Sequence, residues 1–274
     1  IVKIIILLLF IGCNNKNLEW ELYDESSELI SNKDHSINRM QFKLIQSKYN
    51  DKNKWFKNLN TYLIDFSEKD YQELKPLIIE KDIPSIQKNI LSGKLTYEKL
   101  TLFYLYRIKK IEFNKNSYLN SIISLNQNII LEAKEKDKKK PSSIYSLHGI
   151  PILLKDNINF DGLPTTAGSA LLRDNISEDS FVVKKLKESG AIVLGKTNLS
   201  EWAYYFCVGC PLGYSAIGGQ TLNPYGRKIF ESGGSSSGSG VAISANLSSV
   251  ALGSETSGSI LSPSSLNSIV GLKP

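Results

Sequence analysis

The sequence predicts an α/β fold, and two observations carry that prediction. From residue 142 onward, short apolar runs of strand length (Ile150–Leu154, Ala191–Leu194, Ser249–Leu252) alternate with stretches of helical character, Phe181–Leu186 and Val241–Leu247. Such alternation is the pattern of α/β architecture. Ahead of it, between residues 84 and 140, the apolar positions recur at helical spacing.

Taken in order, the chain opens on a targeting signal. Ile4–Ile11 is an apolar run of eight residues, far short of the ~20 that cross a bilayer but as long as a signal-peptide core, with Lys3 as its positive flank. Gly12 before Cys13 resembles a bacterial lipobox, although Phe10 stands where Leu is usual. That reading makes residues 1–13 a lipoprotein-type signal segment, Cys13 the lipidation site and the protein an extracytoplasmic lipoprotein held to the membrane by its lipid anchor. The alternative is a buried N-terminal strand of a cytoplasmic protein. Residues 14–82 are rich in Lys, Asn, Asp and Glu, with Trp20, Trp55 and Phe56 scattered among them, and read as a polar tether with a few helices. Ile86, Ile90 and Leu91 suit a short helix that Gly93 stops. Leu100, Phe103, Tyr104, Ile108 and Ile111 lie on one helical face, and Ile122, Leu125, Ile129 and Ala133 on another. Residues 83–274 form the main domain.

Composition narrows the function classes. Apolar residues are 41% and charged residues 22% of the 274, as in an ordinary globular protein. The net charge of +6 is spread along the chain, with Lys138–Lys140 its one run, so no nucleic-acid partner is expected. Three cysteines, one of them Cys13, cannot build a disulfide framework. Cys207 and Cys210 have redox or half-zinc-site spacing, but no second pair of Cys or His lies nearby. They read as small loop or wall residues, and no metal or other cofactor is expected.

The chemistry concentrates in Gly233–Gly240, a glycine–serine run followed directly by an apolar helical stretch. A flexible linker would not lead straight into such a helix. No Lys follows the glycines as a phosphate loop requires, and Ile243 replaces the last glycine of a dinucleotide fingerprint. Gly234–Gly238 fits a G-x-S-x-G nucleophile elbow with Ser236 at its centre, but that mechanism needs a later histidine, and His35 and His148 both precede it. A truncated chain could have lost such a histidine, so this alternative is demoted and not eliminated. A serine nucleophile without histidine needs another base, and a desolvated lysine can serve. Lys155, at the end of the apolar run Ile150–Leu154, is the candidate.

Several ordered blocks carry a resemblance. Leu147–Asn157, Gly162–Ser169, Gly195–Ala203, the glycine–serine run with Gly253–Ile260, and Val270–Pro274 together resemble the amidase signature family. The resemblance implies a mixed β-sheet core covered by helices. It implies a Ser-Ser-Lys triad that cleaves or transfers amides, with Lys155 the base, Ser235 the bridging serine after a cis peptide bond and Ser259 the nucleophile. Ser235 and Ser259 stand 24 positions apart, the family's register, which selects Ser235 over Ser236 and Ser237. The backbone N–H groups of Thr256, Ser257, Gly258 and Ser259 would form the oxyanion hole, and the substrate would be a small-molecule or peptide amide. Leu261, where many members carry Arg, and Gly218–Tyr225 are more similar to the peptide-amidase branch than to the amidotransferases that act on aminoacyl-tRNA. A surface lipoprotein that kept the fold and lost catalysis is the rival from another class. The resemblance further implies that the family's sheet and pocket continue past Pro274, so the chain is expected to be C-terminally truncated and, by itself, inactive or poorly folded.

Overall fold

A computed structural model of the chain describes residues 19–274. Cys13 and the proposed signal segment lie outside the described residues.

The core of the fold is a four-stranded mixed sheet in the order β1 (Ile122–Leu125), β3 (Ile192–Thr197), β2 (Pro151–Lys155), β6 (Ala251–Leu252). β2 runs parallel to both β3 and β6, whereas β1 is antiparallel to β3. All residues of β2 and β3 are buried, which is why both read as continuous apolar runs rather than as alternating ones. Between them lies α7 (Phe181–Glu188), the crossover helix that parallel neighbours require. A two-stranded antiparallel pair, β4 (Tyr214–Ser215) and β5 (Gly219–Gln220), stands apart from the main sheet.

The helical portion follows from capping as much as from periodicity. α3 (Glu68–Ile78) starts with a capping box between Ser67 and Asp70. α4 (Ile83–Leu91) starts from Asp82, which accepts the Ser85 N–H, with proline in its first turn. α5 (Tyr97–Glu112) starts from Thr96, which accepts the Lys99 N–H, and buries Leu100, Phe103, Tyr104 and Ile108. α6 (Ile129–Asp137) packs on α5 and on β3. The expected single helical face over 122–133 is split. Ile122–Leu125 is the edge strand β1, and the helix begins only after Asn126–Asn128. Two adjacent β-branched isoleucines favour the strand, and Asn126 turns the chain by accepting the Asn128 N–H.

Residues 19–82 are not a tether. α1 (Ser26–Asn32) and α2 (Asn60–Leu63) are short, but Trp20, Met40, Phe42, Ile45, Trp55 and Phe56 are buried in the same core as the sheet. The polar residues that enter this core are paired. Glu25 accepts the N–H groups of Ile45 and Gln46 at 3.1 and 2.7 Å. Lys52 is buried 3.5 Å from the Glu112 carboxylate and 4.1 Å from the centre of the Trp20 ring. Burial pushes the Lys52 ammonium down to about 8, with Glu112 pulling the other way. Sparse apolar residues suffice for burial once the intervening charges have partners.

α8 (Ser237–Ser244) is the helix that follows the glycine–serine run, and α9 (Leu261–Leu266) packs beside it. α8 lies so close to the strands that a Cβ on Gly238 would come within 2.4 Å of Asn198 N and Ser121 O. Only glycine fits there.

Candidate active site

Lys155 ends β2 inside the protein, with none of its surface exposed. Its Nζ lies 2.7 Å from Ser235 Oγ, 2.9 Å from Ser254 Oγ and 3.1 Å from Ser254 O. Burial pushes the ammonium down to about 7, against a smaller upward pull from Glu255. A neutral amine has two N–H donors and one lone pair, so two of its neighbours can receive from it and the third, a hydroxyl, can donate to it.

Ser235 follows a cis peptide bond from Gly234 and is itself buried. Its backbone carbonyl accepts the Ser200 N–H at 3.0 Å. The neighbouring serines point elsewhere. Ser236 Oγ donates to Ser254 O and accepts from Ser254 N, both at 3.2 Å, and Ser237 Oγ donates to Gly233 O. Ser239 Oγ donates to Leu252 O. Of the serines in the run, Ser235 alone reaches Lys155. Among the described residues the nucleophile-elbow alternative centred on Ser236 finds no base, and His148 lies with Lys136 and Tyr97.

Ser259 approaches through the backbone. Its carbonyl accepts the Ser236 N–H at 3.1 Å, which sets it beside the Ser235–Ser236 bond. Its side chain is half-buried, and among the described residues no hydrogen bond joins its hydroxyl to Ser235. The turn around it is organised by Glu255. One carboxylate oxygen accepts the Gly258 N–H at 2.7 Å, and the other accepts Ile260 and Leu261 at 2.7 and 3.0 Å. Those backbone bonds hold the Glu255 carboxyl below its usual range. This corrects one expectation: the Gly258 N–H is already engaged, because the left-handed turn at Gly258 (φ 79°) folds residues 258–261 over the glutamate. The N–H groups of Thr256, Ser257 and Ser259 have no such partner among the described residues.

Ser254, Asn157 and Glu255 are not singled out by the sequence. Asn157 Nδ2 donates to Ser254 Oγ at 2.9 Å and so steadies the serine that holds Lys155. All three lie within the quoted motif blocks, but motif spacing does not tell which side chains turn toward one another. Immediately after Lys155, Asp156 forms a fully buried pair with Lys196 at 3.4 Å, and Lys196 also donates to Ile158 O and Thr165 Oγ1. Thr166 donates to Asp156 from both its N–H and its hydroxyl. Burial pushes the Asp156 carboxyl up and the Lys196 ammonium down, with each opposite charge pulling back. Asp156 and Lys196 thus knit the 165–168 loop to the strand end that carries Lys155.

Cys207 and Cys210, expected as small loop or wall residues, are joined by a disulfide.

A family model described as Amidase matches residues 99–274. A probable amidase of Arabidopsis thaliana is 45% identical over 203 residues, 72% of this chain and 39% of the relative. A glutamyl-tRNA(Gln) amidotransferase polypeptide of Thermoanaerobacter pseudethanolicus is 37% identical over 205 residues, covering 74% and 38%. The crystal structure of the peptide amidase PAM with the competitive inhibitor chymostatin superposes with a TM-score of 0.68 at 45% identity, covering 72% of this chain and 40% of that one. The chain thus spans about two fifths of the length of these relatives. With this match over most of its length, and with the mixed sheet and helices of the solved peptide amidase, the chain belongs to the amidase family.

Proposed function

We propose that the full-length protein hydrolyses a linear carbon–nitrogen amide bond through a Ser-Ser-Lys relay. The observation that carries this reading is a buried lysine, shifted toward its neutral form, 2.7 Å from the hydroxyl of Ser235. Neutral Lys155 accepts the Ser235 proton while Ser235 accepts the proton of Ser259. The freed Ser259 Oγ forms a bond to the amide carbonyl carbon. Charge developing on the carbonyl oxygen is met by the free N–H groups of Thr256, Ser257 and Ser259, where loss of one such donor commonly costs about 3–4 kcal/mol. The C–N bond then breaks, the protonated relay delivers its proton to the leaving nitrogen, and ammonia or an amine departs. Water attacks the acyl-enzyme with its proton taken up by the same relay, and Ser259 is regenerated.

The likeness to the peptide amidase supports a peptide or small-molecule amide as substrate. A second reading, amide transfer on aminoacyl-tRNA, is favoured by the amidotransferase relative. Ammonia release measured with the full-length protein across a panel of carboxamides and peptide amides separates these readings. Release from a free amide supports hydrolysis. Ammonia transferred only to a glutamyl-tRNA acceptor supports the second, and no turnover of any amide supports a fold kept without catalysis.

Cys13 belongs to the same proposal as a lipid attachment site. Cys13→Ala is expected to move the protein from the detergent to the aqueous phase on phase partition, and equal partition of the two proteins removes the anchor from the reading.

A further inference from the structure

The Cys207–Cys210 bridge lies in a segment whose two ends meet at Ser200, beside Gly234 and Ser235. At the leading end the Ser200 N–H donates to Ser235 O at 3.0 Å. At the trailing end Gly213 N donates to Ser200 Oγ at 2.9 Å, and a Cβ on Gly234 would meet Ser200 Oγ at 2.5 Å and Leu212 Cδ2 at 3.2 Å. Between these ends Trp202, Ala203 and Tyr204 take φ values of 52°, 54° and 72°. Three consecutive non-glycine residues in the left-handed region do not stay there unless something holds them.

Two contacts do so. Trp202 N donates to Ala167 O at 2.9 Å. The Tyr204 hydroxyl accepts the Gly209 N–H at 2.9 Å and donates to Cys210 O at 2.8 Å. Gly209 and Cys210 both belong to the small ring that the disulfide closes, so the bridge constrains the backbone groups that anchor Tyr204. Cys207 and its neighbours Tyr205, Phe206 and Val208 are exposed, so a dissolved thiol can reach the bond.

We propose that the Cys207–Cys210 disulfide is a redox clip on the segment that braces Ser235. A dithiol opens it by thiol–disulfide exchange. The S–S bond breaks, two cysteine thiols form, and two electrons and two protons come from the reductant, which leaves as its own disulfide. Once open, the 207–210 turn no longer presents its N–H and carbonyl to Tyr204. The left-handed run relaxes, and Ser200 shifts against Ser235. The consequence for turnover rests on the amide-hydrolysis reading above, and the movement of the segment does not.

The test uses the full-length protein with and without dithiothreitol. Iodide quenching of the fluorescence that Trp202→Phe removes reports the loop, because Trp202 is exposed while Trp20 and Trp55 are buried. Reduction is expected to change that signal and to lower kcat/KM by roughly tenfold to a hundredfold, the scale of an ångström-sized misplacement, with reoxidation restoring both. The double variant Cys207→Ser/Cys210→Ser is expected to sit at the reduced values and to ignore the reductant. Alkylation of both cysteines before any reductant is added overturns the proposal, as does a Trp202 signal indifferent to reduction. A responding signal with unchanged kcat/KM overturns it too. Absence of turnover in both redox states with a responding Trp202 supports the clip and removes the amide reading instead.

Discussion

The two sides of the candidate site are held in opposite ways. Lys155 and Ser235 are 0% and 1% exposed and sit where a strand end meets a helix start. The turn that carries Ser259 lies at the surface, with Thr256 and Ser257 exposed and its shape kept by one carboxylate. The difference divides the labour physically. Loss of water is what makes this lysine a base near neutral pH, so its side is closed. A nucleophile must meet a substrate, so its side must be open. Order there comes from backbone hydrogen bonds to Glu255 rather than from packing.

The contrast breaks most directly at the two ends of the relay. Ser259→Ala and Lys155→Ala are each expected to lower kcat by about 10³-fold or more, with the far-UV circular dichroism spectrum unchanged. Near-normal turnover in either variant removes that residue from the relay. Ser235→Ala is expected to cost about 10²-fold or more, whereas Ser236→Ala, whose hydroxyl meets only the Ser254 backbone, is expected to stay within about tenfold. Equal losses at the two positions contradict the assignment of the bridging role to Ser235.

The pH profile sharpens the contrast. Neutral Lys155 is the active form, so kcat/KM is expected to rise with pH through about 7. Glu255 pulls the Lys155 pKa upward, so Glu255→Gln is expected to move that limb to lower pH while lowering kcat by about tenfold through the disturbed turn. A limb that does not move means that the glutamate acts on the turn alone. The same titration links to stability. The unfolded chain binds a proton at Lys155 that the folded one has lost, so this lysine's contribution makes stability rise as pH increases from about 7 toward 10.5. Urea unfolding at pH 7 and pH 9, compared between the wild type and Lys155→Met, isolates that contribution.

The smallest effect on chemistry is expected far from the site. Trp55→Ala in the N-terminal region should cost about 3–5 kcal/mol of stability as a core truncation, yet leave the acid limb of the pH profile in place. A shifted limb would mean that the region tunes Lys155 as well as supporting the fold.

Some of this is legible in the residues themselves. β2 and β3 announce themselves because strands buried on both faces have no polar alternation to obscure them. The family is legible because its blocks are local in sequence, and local blocks survive without knowledge of the fold. Ile122–Leu125 reads as helix in the sequence because a short apolar run fits either period, and the choice is made by β3 offering a free edge. Residues 19–82 look like a tether because composition counts charges and not their partners. Lys52 can be buried only because Glu112 lies beside it, 60 positions further along the chain.

The short contacts of the site are of the same kind. Sequence names Lys155 and Ser235 through motif register, but their approach to 2.7 Å spans 80 positions and depends on β2, α8 and the loop between them. Ser254 beside Lys155, Glu255 under Gly258 and the closure of Cys207 on Cys210 are likewise matters of direction. Sequence determines which groups are available and where strands and helices can form. Which way each side chain points, and hence how far Lys155 is desolvated, is decided only when the separate segments pack, because a pKa and a hydrogen bond belong to a surrounding and not to a residue.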